Sequence, residues 1–239
     1  MSKKYKNKIC VYCAERNSTT ADHIFAREFF LVNERDNLPK VPSCKQCNKV
    51  KSDLEHYLTV VLPFGGHHET ALENLSTMVP KRLRKNQRLH KKLKDNKSHV
   101  MSVEPTGNGV QYFTVPFDGQ KMLDLFKFIT KGLVWHHWKT IIDKKFDVEA
   151  ISLTQQGEKY FQEKFFSLNS KHNVEEKIGN NIFSYKGLQA VDIPEITVWE
   201  FMVYNGLKVS GASADFAEAS TKIGAITGPN KFITKFKEL

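Results

Sequence analysis

Four cysteines fall as two pairs of identical internal spacing, Cys10-Val-Tyr-Cys13 and Cys44-Lys-Gln-Cys47, and no cysteine is left over. Each C-x-x-C turn presents two thiolates, so the two turns supply the four soft donors of a tetrahedral Zn²⁺ site with metal–sulfur distances of ~2.3 Å. The first eight residues hold no apolar segment of the kind a secretory signal needs, and in that setting paired cysteines read as metal ligands rather than disulfides. A redox C-x-x-C is the lesser alternative, because the motif occurs twice. The fold must therefore bring residues 10–13 and 44–47 to one point. The 30 residues between Cys13 and Cys44 exceed the zinc-ribbon interval of ~15–20. A closed tetrathiolate site has no open coordination position, so chemistry is expected in the segment inserted between the two knuckles.

Charge adds a second constraint. The 36 Lys and Arg against 26 Asp and Glu give a formal charge of +10, with a pI near 9.3. Such a surface draws polyanions through counterion release, and nucleic acid is the natural partner class. A basic surface that is merely solvated fits the charge alone equally well. At 239 residues, 40% of them hydrophobic, the chain can bury a real core in one large domain or in a small domain plus a larger one. No apolar run reaches the ~20 residues of a membrane span. A cytoplasmic location with no membrane partner is expected.

Between the knuckles lies Thr19-Thr20-Ala21-Asp22-His23-Ile24. Asn37-Leu38 and Val41-Pro42-Ser43-Cys44 follow, and the second knuckle runs into Cys47-Asn48-Lys49-Val50-Lys51-Ser52-Asp53. In this order the combination resembles the HNH, or ββα-metal, endonuclease superfamily, over roughly residues 8–62. The resemblance implies an α+β protein: an N-terminal zinc-bound ββα-metal module over 1–65, then a mixed α/β C-terminal domain over 66–239. It implies structural Zn²⁺ on Cys10, Cys13, Cys44 and Cys47, and catalytic Mg²⁺ or Mn²⁺ held by Asp22 and Asn48. His23 would be the general base, and Asn37 would orient His23 or constrain the loop. DNA is the substrate the superfamily favours. The insert Phe25-Ala26-Arg27-Glu28-Phe29-Phe30, expected to form a short helix with an apolar side, departs from relatives that carry Pro or Gly there.

The residue types suit that chemistry on their own terms. Phosphodiester hydrolysis needs a base for water and a hard cation for the phosphate. An unperturbed His, with a pKa of ~6.5, is mostly neutral and able to accept a proton. A carboxylate and an amide oxygen with several waters suit Mg²⁺, which dehydrates reluctantly. As bare residues, Asp22-His23 is a turn pair and Asn48 the cap of a helix running from about 48 to 61. Lys51 and Ser52 fall on the helical face of Asn48 and could reach a phosphate. His56 reads as helix surface, with an extra metal ligand or a phosphate contact as the lesser alternative, and Asp53 has no firm place.

Beyond the pair Gly65-Gly66 the chain reads as helical over 67–98. Nine cations crowd positions 81–97, with Asp95 the one acid opposing them. A basic helix over about 79–97 should track phosphates through Lys81, Arg82, Lys85 and Arg88. Turn signals at 105–109 between apolar runs read as a β-hairpin. Residues 119–142, apolar nearly all round, read as a central buried helix whose His136 and His137 are partly buried core histidines, since adjacent residues do not face one site. A strand near 146–152, a helix over 155–168 and strands near 182–191 and 197–209 complete the expectation. The other readings are a non-catalytic zinc module that binds nucleic acid or protein, and a defence or toxin nuclease restrained by a protein partner through its C-terminal domain.

Overall fold

The computed structural model describes residues 3–103, 108–167, 172–207 and 222–237. Strand β1 (Thr20–His23) pairs antiparallel with β2 (Lys40–Ser43), setting Asp22 opposite Val41 and His23 opposite Lys40. Helix α1 (Lys45–Val61) follows at once. It starts three residues before the expected Asn48, because the extended Cys44 is its N-cap and accepts from the Cys47 amide at 3.5 Å. Pro63 has no amide hydrogen to continue the ladder, and α1 gives way to a 3₁₀ turn at Leu62–Phe64.

Three helices come next: α2 (Glu69–Thr77), α3 (Val79–Lys85) and α4 (Gln87–Asp95). The single basic helix expected over 79–97 is thus two. Asn86 leaves helical dihedrals, and its side chain caps α4 by accepting from Leu89 N at 3.1 Å. Leu89 and Leu93, one turn apart, turn α4 inward, and its cations stay in solvent. The hairpin is β3 (Ser98–Val103) with β4 (Gly109–Thr114), and its expected turn at 105–107 lies outside the described residues.

The long apolar helix is α5 (Gly119–Trp138), capped by Asp118 and ended by Lys139 in the left-handed region at φ 58°. It lies on one face of a five-stranded antiparallel sheet of order β5-β9-β8-β7-β6. The strands are β5 (Asp147–Leu153), β6 (Asn173–Ile178), β7 (Phe183–Gln189), β8 (Thr197–Val203) and β9 (Lys222–Gly228). Helices α6 (Gln155–Phe161), extended by a π turn to Phe166, and α7 (Asn230–Lys237) cover the other face through Leu153, Phe161, Val198, Ile226 and Ile233. The strand expected over 197–209 stops at Val203, where Tyr204 and Asn205 turn through positive φ. Positions 168 and 208–209 lie outside the described residues. The architecture is α+β, and among the described residues no helix is long and apolar enough to cross a membrane.

One apolar core runs from the knuckles to the sheet. The β1–β2 connection forms two 3₁₀ turns in place of a short helix. It inserts Phe25, Phe29 and Phe30 against Phe183 of β7, with ring centroids 4.9, 5.3 and 5.8 Å away. Tyr12 of the first knuckle meets Phe128 of α5 edge-on at 5.1 Å. Gly66 is a point of close approach: His67 N bonds Tyr204 O at 2.8 Å, and a Cβ on Gly66 would lie 2.8 Å from the Cβ atoms of Ala71 and Tyr204. Apolar packing is therefore continuous across the glycine pair. His136 and His137 are half-buried, and His137 Nε2 lies 3.0 Å from Tyr185 Oη.

Trp199 of β8 lies flat over Gly187 of β7, where a Cβ would come 2.4 Å from the indole ring. Gly187→Ala should force Trp199 off the sheet and cost about 1–3 kcal/mol in urea unfolding. Unchanged stability would show that the indole does not need this gap.

Candidate functional site

The cysteines meet as the spacing predicts. Ala14 turns through φ 57° and bonds Cys10 O at 2.9 Å, Cys10 N takes Arg16 O at 2.8 Å, and Val11 N takes Pro42 O at 3.0 Å, which lays the first knuckle on β2. The second knuckle is the first turn of α1. All four Sγ atoms lie within 4.8 Å of one another, and all four thiols are free. Tetrahedral Zn–S bonds of ~2.3 Å require sulfur–sulfur edges of ~3.8 Å, so the cluster can hold a metal ion such as zinc. Burial of Cys44 opposes its ionisation, but the Cys47 amide and the Arg16 guanidinium outweigh it and pull the thiol down to about 6. Burial pushes the Cys10 thiol up. Arg16 reaches Gln46 and lies 3.7 Å from Cys47 Sγ. Lys131 of α5 donates to Tyr12 O at 3.0 Å. Two cations thus flank the four thiols.

Neighbours within a strand point to opposite sides, but Asp22 and His23 sit at the end of β1, where two such side chains can share a site. Asp22 is buried, and its Oδ2 accepts from Tyr12 Oη at 2.7 Å and lies 3.2 Å from Lys51 Nζ. The same ammonium donates to His23 O at 2.7 Å and pairs with Glu55. Lys51 is fully buried. The expectation that it contacts a phosphate is corrected: it clamps the Asp-His dipeptide onto α1. Burial pushes the Glu55 carboxyl up to about 7, with Lys51 opposing the rise and Asp22 adding to it. Burial also lowers the His23 pKa, helped by Lys40 and Arg27 and opposed by Asp22. The imidazole is half-buried, neutral at physiological pH, and has no hydrogen bond among the described residues.

Asn48 is not the cap of α1 but stands inside its first turns, its amide bonded to Cys44 O at 3.0 Å. It lies one turn before Lys51 on the same face, half-buried, with a side chain that makes no hydrogen bond among the described residues. Ser52 is half-buried beside it. Asp53 is exposed and pairs with Lys49 at 2.9 Å, and His56 is exposed. Of the two roles expected of it, Asn37 serves the loop and does not orient His23. It is exposed in the left-handed region at φ 58°, makes no hydrogen bond to His23 among the described residues, and lines a cleft of about 270 Å³ with Glu34, His136 and Glu176. Its asparagine serves the turn into β2.

The basic residues divide. Lys81, Lys85 and Arg88 are exposed. Arg82 is corrected from a phosphate contact to an internal staple, since its guanidinium donates to Thr59 O at 2.7 Å and Glu28 O at 2.6 Å. Carbonyls left open at the end of α1 and in the β1–β2 connection need such a donor. Sequence reasoning also missed Glu55 and Tyr12. The i,i+4 spacing of Lys51 and Glu55 was a usable signal for the first; nothing in the sequence marked Tyr12.

Metal affinity at the four thiolates is part of the folding free energy of so small a strand pair. The purified chain should carry one tightly held zinc by elemental analysis, and Cys44→Ser should lose it and loosen residues 8–62. Full zinc retention in that variant would show that the knuckles do not share an ion. Comparison with protein-family models, with curated proteins and with solved structures found no match.

Proposed function

We propose that the chain is a metal-dependent endonuclease of the HNH type that hydrolyses phosphodiester bonds, with DNA the favoured substrate. One observation carries this reading. The chain order knuckle, β1, β2, knuckle, α1 leaves Asp22 and His23 tied by one lysine to the helix that bears Asn48 one turn earlier. Both contacts of Asp22 fall on Oδ2, leaving Oδ1 as the oxygen for a further ligand. That oxygen and the Asn48 amide oxygen are hard donors of the kind Mg²⁺ or Mn²⁺ takes alongside water. Such an ion, when bound, supplies charge neutralisation at the phosphate and at the leaving oxygen.

The remaining chemistry belongs to the chain. His23, uncharged and without a competing hydrogen bond, accepts the proton of a water as the water oxygen bonds phosphorus and the bond from phosphorus to the 3′-oxygen breaks. Lys51 fixes the carbonyl of His23, which limits where the imidazole can swing. Tyr12 and Lys51 hold the Asp22 carboxylate from behind. Four zinc-binding thiolates would anchor both ends of the insert.

A second reading has an observation of its own. A carboxylate already 3.2 Å from a buried ammonium is satisfied without a metal, which suits a non-catalytic zinc module that binds nucleic acid. Cleavage separates the two. Plasmid, single-stranded DNA and RNA should be cut with Mg²⁺ or Mn²⁺, and His23→Ala should lower the rate by ~10²–10⁴-fold, the scale of a general base, while leaving binding intact. Cleavage by the variant at the wild-type rate overturns the base assignment, and a wild type that binds but never cuts favours the binding module.

A further inference from the structure

A groove of about 270 Å³ runs between α1 and α4, with Asp53 and His56 on one wall and Arg88 and Lys92 on the other. It lies outside the Asp22–His23–Asn48 site. On α1, Lys45, Lys49, Ser52 and His56 recur at i, i+4, i+7 and i+11, which makes one stripe of the helix. Lys45, Lys49 and His56 are exposed, and Ser52 is half-buried. The stripe begins beside Asn48 and ends in the groove. On α4, the buried Leu89 and Leu93 fix the helix so that Arg88 and Lys92, one turn apart, face α1 across the gap.

The charge of this surface is one-sided. Four cations, Lys45, Lys49, Arg88 and Lys92, meet the single carboxylate of Asp53, which Lys49 already pairs at 2.9 Å. Asp118 also feels the Lys92 charge, and it is occupied by Lys121 at 2.5 Å. Arg88 and Lys92 have no ion-pair partner among the described residues. A groove with a cationic wall, a histidine and no free acid fits an extended polyanion.

We propose that the α1 stripe and the α1–α4 groove form a track for the sugar–phosphate backbone of a nucleic acid, leading away from the candidate catalytic site. This rests on the phosphodiester reading above and says where the substrate lies. At ~1.5 Å per residue, His56 stands ~12 Å along α1 from Asn48, the axial rise of three to four base pairs of duplex at ~3.4 Å each. The track thus takes phosphates about that far from the bond that is cut. Recognition is of backbone rather than of sequence, because Lys45, Lys49, Arg88 and Lys92 are cations and Ser52 and His56 can donate to phosphate.

Binding of the full chain to a labelled duplex of ~20 base pairs, titrated with KCl in the absence of added divalent metal, tests this. Replacing Arg88 and Lys92 together with Gln should lower the slope of log K against log salt by about two, since each phosphate contact contributes ~0.9. The loss should be alike for unrelated sequences. Lys159→Gln with Lys164→Gln removes equal charge from the α6 segment on the opposite face of the sheet and should leave the slope unchanged. An unchanged slope for the Arg88 and Lys92 variant, or an equal fall for the α6 variant, overturns the track. Cleavage assayed on the same wild-type preparation keeps the two claims apart. A duplex bound with the predicted slopes but never cut supports the track and sinks the nuclease reading. A duplex cut normally, with slopes unmoved by the groove variant, does the reverse.

Discussion

One buried ammonium organises the N-terminal half of this protein. Lys51 Nζ is shared among the Asp22 carboxylate, the His23 carbonyl and the Glu55 carboxylate, with no exposure to solvent. An unpaired charge in that position would be untenable, and removing one partner from a buried pair costs about 3–5 kcal/mol. The lysine therefore needs β1 and α1 together, and neither element can shift along the other without stranding a charge. Glu55, its carboxyl pushed up to about 7 by burial, shares that ammonium with Asp22.

The rest of the molecule holds this arrangement from outside. The knuckles close the two ends of the insert, while Phe25, Phe29 and Phe30 anchor its middle on Phe183 of the sheet. Arg82 ties the insert to the end of α1 through Glu28 O and Thr59 O. Lys131 and Phe128 of α5 press on the first knuckle at Tyr12. A strand pair of four residues each would be marginal alone. Here it is one edge of a core that continues into α5 and the sheet.

Periodicity and spacing carried much of this. The paired C-x-x-C turns announced a four-sulfur cluster, and the all-round apolar run placed α5 to within a few residues. The hairpin followed from its turn residues. Strand β6, Asn-Val-Glu-Glu-Lys-Ile, escaped notice because it is an edge strand, and edges carry charge to stay unpaired. Strand β9 escaped because glycines interrupt its apolar pattern and weaken the strand signal. Lys51 and Arg82 were misjudged for a common reason. A cation in sequence looks like a surface group, and beyond the i,i+4 spacing of Glu55 from Lys51 it takes the three-dimensional placement of Asp22 and two open carbonyls to reveal an internal partner. The start of α1 was missed because cysteine is not an expected cap, and Asn37 read as catalytic when its backbone φ is what the loop uses.

The central claim is that Asp22 and Asn48 converge on a hard-metal site beside His23, distinct from the four-sulfur cluster. Anomalous scattering at the manganese edge from crystals soaked in Mn²⁺ tests it most directly. The account predicts a manganese peak bounded by Asp22 Oδ1 and the Asn48 amide oxygen, with none of the manganese among Cys10, Cys13, Cys44 and Cys47. Manganese bound only elsewhere, in a structure where Lys51 still holds Asp22, would contradict it.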